Sequence, residues 1–130
     1  WSEVLNEAKG GPAVLLENIF EEVPDTLIEL FGCFKDKELY YCFDSGHFNL
    51  FSKVPLEAWL TPLKNRIREM HLHDNHGTSD EHLPIGRGTF PFRELREFAK
   101  QLTGIIYTSE FHRESHAVES IKNLKEFASQ

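Results

Sequence analysis

Four times in this sequence a short apolar run is followed at once by a carboxylate or an imidazole. The runs are Val14-Leu15-Leu16 before Glu17-Asn18, Leu39 to Phe43 before Asp44-Ser45-Gly46-His47, Ile67 to Leu72 closing on His71-Leu72-His73-Asp74, and Ile105 to Thr108 before Ser109-Glu110. Each run is of strand length, and the second is rich in aromatics, which strands favour. Between them lie segments with apolar residues at helical spacing. Leu27, Ile28, Leu30 and Phe31 follow Pro24-Asp25-Thr26, and Leu56, Trp59, Leu60 and Leu63 follow Pro55. Phe92, Leu95, Phe98, Ala99 and Leu102 precede Gly104, which sits where a helix C-cap is expected. Val118, Ile121, Leu124 and Phe127 form a last helical stripe, with Ser115 expected to cap it.

The order is therefore β-α-β-α-β-α-β-α, which predicts parallel strands with helices packed on the sheet. A complete (β/α)8 barrel needs eight strands and about 250 residues. Four strands in 130 residues make half of one. The stretch Ser2 to Lys9 reads as the tail of a preceding helix, so residues 1–130 are expected to form a single partial domain, the C-terminal half of a (β/α)8 TIM barrel, lacking its N-terminal half. The structural alternative is an open four-stranded α/β sheet.

In a parallel barrel the C-terminal strand ends share one rim, where functional residues collect. Twenty-seven positions separate Glu17 from Asp44, and twenty-seven again separate Asp44 from His71. The step to Glu110 is longer because the polar loop from Asp74 to Gly88 is inserted. One βα unit thus separates each candidate ligand from the next. Glu17, Asp44, His71 and Glu110 are expected to converge as three carboxylates and one imidazole, a set suited to Mn²⁺, Mg²⁺, Fe²⁺ or Zn²⁺. His47, Asp80 and His82 offer a further ion position. Arg87, between Gly86 and Gly88, is a candidate contact for a substrate anion. Asp74 either orients a ligand or closes a turn. His73, His76, His112 and His116 are expected to be ordinary hydrogen-bonding histidines.

Composition narrows the function classes. With 40% apolar and 27% charged residues the chain is not of disordered composition. A formal charge of -7, with no run of more than two basic residues, shows no broad cationic face for nucleic acid. No apolar run approaches the ~20 residues of a membrane span. Trp1-Ser2-Glu3 does not open a signal peptide, and Cys33 and Cys42 form no CxxC, so both are expected as reduced thiols in a cytoplasmic protein.

The segments Leu15-Leu16-Glu17-Asn18, Asp44-Ser45-Gly46-His47, His71-Leu72-His73-Asp74-Asn75, the stretch from Asp80 to Phe90, and Ser109-Glu110 together resemble the xylose isomerase-like TIM barrels, also called the AP endonuclease family 2 superfamily. The likeness runs through residues 12–127. It implies a divalent metal (Mn²⁺, Mg²⁺ or Zn²⁺, one to three ions) held by Glu17, Asp44, His71 and Glu110. It also implies sugar or sugar-phosphate isomerisation or epimerisation, with Glu17 and Glu110 as base and acid. Endonuclease IV is similar too: its third zinc corresponds to His47, Asp80 and His82, so zinc-dependent phosphodiester hydrolysis on nucleic acid is the alternative. A third expectation is an inactive half-barrel that pairs with a second copy or with a complementing N-terminal half.

Overall fold

The computed structural model describes residues 2–7, 10–34 and 39–129. Four parallel strands lie in sequence order: β1 (Val14–Glu17), β2 (Leu39–Asp44), β3 (Ile67–Leu72) and β4 (Ile106–Ser109). They pair β1 with β2, β2 with β3 and β3 with β4, all parallel. Helices α1 (Ser2–Glu7), α2 (Asp25–Cys33), α3 (Ser45–Phe51), α4 (Leu56–Leu63), α5 (Phe92–Ala99) and α6 (Ala117–Ala128) precede, connect and follow them. This is half of a (β/α)8 barrel, and among the described residues β1 and β4 do not meet.

Period-two alternation sorts the strands into two faces. Leu39, Tyr41 and Phe43 on β2, with Met70 and Leu72 on β3, pack under the helices together with Trp59, Leu60, Leu63 and Leu95, all essentially inaccessible to water. Cys42 and Asp44, with Glu69, His71 and His73, take the opposite face, the inside of the barrel. A register shift makes this possible: Tyr41 pairs with Ile67 but Cys42 pairs with Glu69, so one extra residue, Arg68, bulges from β3. The bulge lets Ile67 join the core while every second residue from Glu69 onward faces inward, and re-aiming side chains is a common use of such bulges. The displaced Arg68 guanidinium lies over the Tyr40 ring at 4.6 Å.

Three local expectations are corrected. Helix α3 is not among the elements read from the sequence; its start is set by the Asp44 carboxylate, which accepts the His47 N–H at 2.7 Å as an N-cap. Helix α5 ends at Ala99 rather than at Gly104. The chain turns there through a Leu102 N–H to Ala99 carbonyl bond, and Gly104, at φ +67°, shapes the approach to β4. Ser115 does not cap α6: it lies inside a 3₁₀ turn, Glu114–His116, that feeds directly into the helix. Helix α1 covers Ser2 to Glu7 with Leu5 in the core, while Ala8 and Lys9 lie outside the described residues.

Candidate metal centre

Each of the four strand-end residues is aimed by its strand. His71 Nδ1 lies 3.0 Å from Glu110 Oε1, 3.4 Å from Glu17 Oε2 and 4.0 Å from Asp44 Oδ2. Asp44, His71 and Glu110 offer ligand atoms all within 4.8 Å of one another. His71 Nδ1 is buried among these carboxylates. A nitrogen facing three carboxylates from inside a protein is the electrostatic setting of a cation. Four hard or borderline donors at one rim fit a divalent ion. The thiol of Cys42 faces Glu17 and His71, but burial pushes its pKa up and keeps it protonated, so the set retains its oxygen and nitrogen character.

The carboxylates are themselves held. Asn18 is buried behind β1; its side-chain oxygen accepts the Tyr41 hydroxyl at 2.7 Å and the Asp44 N–H at 2.9 Å, and its amide donates to the Asp44 carbonyl at 2.9 Å. Asp44, wholly buried, receives His73 Nε2 at 3.0 and 3.1 Å. Glu69 accepts the Thr108 hydroxyl at 2.6 Å and lies 3.4 Å from His71 Nε2.

Protonation follows this geometry. Hydrogen bonds from His47, then His71, hold Glu17 down at about 2. Glu17 in turn raises His47 to about 9. His71 is driven far above the usual imidazole range by hydrogen bonding to Cys42, Glu110 and Glu17. Glu110 is lowered, chiefly by His71. Burial, then the neighbouring His73, lowers His82. A divalent cation competing for the same carboxylates must displace protons from His47 and His71, so its affinity rises with pH.

The loop from Asp74 to Gly88 brings the remaining candidates to the rim. Asp74 is fully buried, and its carboxylate accepts four backbone N–H groups, from Asn75, Gly86, Gly88 and Phe90, at 2.8 to 3.1 Å. Of the two expected roles for Asp74, the structure shows the turn-closing one. Gly86 sits at φ +84°, and a Cβ on Gly88 would meet the Asn75 carbonyl oxygen at 2.1 Å, so both glycines are required by this close packing. The loop carries Asp80 to His82, 3.2 Å away through Nδ1. His82 itself has φ +49°, a conformation unusual outside glycine and held here by its surroundings.

His47 reaches the cluster through Nδ1, 3.2 Å from Glu17 and 3.1 Å from the Asn18 carbonyl, while its Nε2 stands 3.7 Å from Asp80. The structure does not bring His47 and His82 into one ligand-sized group; it joins Asp80 and His82 to His73 instead. Arg87 is exposed and its Nε is 2.7 Å from Glu119 on α6. His73 was expected to be ordinary, yet it is wholly buried between Asp44 and His82. The signal for it was present: His71 and His73 are two apart on one strand and must share a face. His112 stacks on His82 at 3.6 Å, whereas His76 pairs with Glu81 on the exposed surface.

Fold and rim together define half of a parallel α/β barrel whose C-terminal strand ends carry a carboxylate–imidazole cluster. The sequence pattern of the xylose isomerase-like TIM barrel family matches residues 1–127, and the chain belongs to that family. An uncharacterised protein of Methanocaldococcus jannaschii is 37% identical over 109 residues, covering 80% of this chain and 36% of its own. Among solved structures, a D-tagatose 3-epimerase-like protein is similar at TM-score 0.81 and 32% identity, over 98% of this chain and 51% of its own. A Thermus thermophilus protein solved after soaking with ZnCl2 is similar at TM-score 0.77 and 28% identity, over 98% and 49%. The chain spans about half the length of these solved relatives and about a third of the curated one.

Proposed function

We propose that this chain carries the metal-binding half of a sugar or sugar-phosphate isomerase or epimerase, moving a proton at the carbon next to a carbonyl. The observation that supports it most is the convergence of Glu17, Asp44 and Glu110 on His71 Nδ1. Glu17, Asp44, His71 and Glu110 would hold one divalent ion, Mn²⁺, Mg²⁺ or Zn²⁺. When bound, the ion supplies Lewis acidity to adjacent carbonyl and hydroxyl oxygens. Glu17 reaches His71 from the end of β1, two strands away, and Glu110 from the end of the adjacent β4, so the two carboxylates flank it from opposite sides. One carboxylate takes the substrate proton and the other returns it. Glu17 is a weak base while His47 and His71 donate to it; loss of those ring protons raises its basicity. Asp44, fixed by His73 and by its N-cap bond, binds and orients.

The test is solvent-deuterium incorporation, by mass spectrometry, into a panel of ketoses and their phosphates with Mn²⁺ present. Exchange at the carbon next to the carbonyl supports the reading. Turnover without such exchange overturns it. Asp80 and His82 at the same rim favour one second reading, zinc-dependent phosphodiester hydrolysis like that of endonuclease IV. Metal-dependent cleavage of an abasic-site oligonucleotide, with no exchange in the sugar panel, would select it. Under either reading the open edges of β1 and β4 are covered by four further strands or by a second copy of the chain, and Cys33 and Cys42, both free thiols, suit a cytoplasmic setting.

A further inference from the structure

One side of the rim is apolar and faces water. Phe20 follows Glu17 by three residues and is 73% exposed, with Ile19 exposed beside it. The Phe20 ring meets Phe51, the last residue of α3, edge to face at 5.3 Å, and neither ring belongs to the hydrophobic core. Together with Leu50 they wall a cleft of about 350 Å³ whose far side is the polar loop 77–80. Exposed aromatic rings gathered around a concavity of this size mark a binding surface for a small molecule. The walls are fixed by bonds outside the cleft. The Glu21 carboxylate accepts the Ile19 N–H at 2.8 Å, and the Glu22 carbonyl accepts the Lys53 N–H at 2.8 Å, which ties the segment after β1 to the end of α3. Asn49 donates to the Asn75 carbonyl at 3.0 Å, and the Asn75 side chain accepts the Gly77 N–H at 2.8 Å, where φ is +74°.

The cleft opens onto the proposed metal centre. His47 is common to both, since it lines the cleft and stands 3.2 Å from Glu17. A substrate whose reacting carbons lie over Glu17 can extend past His47 with its remaining carbons in the cleft. The charges there decide what that end can be. Among the described residues, those lining the cleft include no Lys or Arg. Its one basic ring, His47, already lies between two carboxylates, Glu17 and, at 3.7 Å, Asp80. Arg87, expected as an anion contact, is turned to Glu119 on α6. A phosphate placed here meets the Asp80 carboxylate with no unmatched cation, and it gives up hydration against the rings. The C–H groups of a sugar lose little on leaving water and gain contact with the aromatic faces.

We propose that Phe20 and Phe51 form the subsite for an uncharged end of the substrate, so that the chain selects a free ketose over its terminal phosphate ester. The subsite rests on the isomerase or epimerase reading above and narrows it from sugars and sugar phosphates to sugars.

The experiment compares free ketohexoses with their 1-phosphates and 6-phosphates in the deuterium-exchange assay with Mn²⁺. Saturation-transfer NMR of the same ligands on the Mg²⁺-loaded chain reads binding without turnover. Exchange should favour the free sugars by ~10-fold or more in kcat/KM, and irradiated aromatic protons should pass saturation to sugar C–H protons. Phe20→Ala, at an exposed position, should raise KM for the free sugar ~10-fold and weaken that transfer. Phe20→Arg, which supplies the missing cation, should narrow the preference against a phosphate by ~10-fold. A wild-type preference for either phosphate, or an unchanged KM in Phe20→Ala, overturns the subsite and leaves the metal centre and its proton transfer standing. Sedimentation that shows Phe20→Ala splitting an assembly, with KM unchanged, also overturns it and assigns the pair to a contact between copies. No exchange and no saturation transfer with any of these sugars overturns the proposed function and the subsite with it.

Discussion

Replacing Gly46 by alanine tests whether His73 governs the rim. Helix propensity alone predicts a gain of up to ~1 kcal/mol, because alanine is the better residue in a helix and Gly46 has no positive φ to protect. The structure predicts the opposite sign. The added Cβ would lie 2.0, 2.4 and 2.7 Å from Cε1, Nδ1 and Nε2 of His73, so the ring must retreat by more than an ångström to reach ordinary contact. It has nowhere to go without leaving Asp44, which it holds through Nε2, or pressing into His82, stacked at 3.9 Å. Losing a hydrogen bond to a charged group costs about 1.5–3 kcal/mol, and overpacking adds about 1–3 kcal/mol. Set against the propensity gain, Gly46→Ala should destabilise by roughly 2–5 kcal/mol. Urea denaturation of the metal-free chain reads this as a midpoint lowered by about 1–2 M with an unchanged slope. The deciding measurement is the same substitution in a His73→Ala background. There the obstacle is gone, and alanine should be neutral or stabilising by up to ~1 kcal/mol. An equal cost in both backgrounds would refute the reasoning.

Glu17→Gln and Glu110→Gln should each reduce deuterium exchange at the substrate carbon by ~10²-fold or more while leaving the circular dichroism spectrum unchanged; retention of near-wild-type exchange in either removes that residue from the proton path. The metal-free chain should also lose stability at both ends of the pH range. His47 is raised from 6.5 to about 9, so its contribution is full below pH ~6.5 and is lost as pH climbs through about 9. Glu17, lowered from 4.5 to about 2, contributes above pH ~4.5 and loses that contribution as pH falls toward 2. Thermal melts across pH 2–10 measure both limbs, and His47→Gln should flatten the alkaline one; an alkaline limb of the same size in that variant would count against the assignment. Asp74→Asn replaces one accepting oxygen by an amide that cannot receive two backbone N–H groups, so it should destabilise the loop by about 2–4 kcal/mol. Limited proteolysis should then cut between residues 76 and 82 in the variant and spare the wild type.

The parts of the fold carried by local pattern could be read in advance. Strand β3 has the same bounds, Ile67 and Leu72, in the sequence reading and in the structure, and one carboxylate or imidazole per strand end puts Glu17, Asp44, His71 and Glu110 on one rim. What escaped reading depends on tertiary contacts. The Arg68 bulge is invisible in sequence, since register is set by pairing with β2 and not by residue type. Helix α3 owes its first turn to Asp44, a residue that also belongs to the cluster, so its capping role is hidden in the sequence behind its place in the expected ligand set. Arg87 looked available for a substrate because Glu119 is thirty-two positions away in sequence but beside it in space. His73 was underrated for a different reason: a lone histidine is usually ordinary, and only its burial against Asp44 and beside Gly46 separates it from His76.

Metal binding and turnover need not depend on the same amount of protein. Glu17, Asp44, His71 and Glu110 come from β1, β2, β3 and β4, and each strand is hydrogen-bonded to the next, so the sheet fixes all four relative to one another without any further strand. The loop carrying Asp80 and His82 is anchored internally by Asp74. The interior face is another matter. Ile106, on the inner face of β4, is 60% exposed, where a closed barrel fills its interior with packed side chains. Phe20 and Phe51 meet edge to face at 5.3 Å beside an open cleft of about 350 Å³ that also touches His47 and Asp80, and Phe20 is 73% exposed. Substrate would therefore be bound on one side by this chain and on the other by whatever covers the open edges. It follows that ion stoichiometry is a fair test of the cluster on this chain alone, while a catalytic rate measured on it should rise when the edges of β1 and β4 are covered, whether by a second copy at high protein concentration or by four added strands. A rate per chain that is independent of concentration from nanomolar to micromolar, together with a monomeric sedimentation profile, would show that these four strands bind substrate unaided.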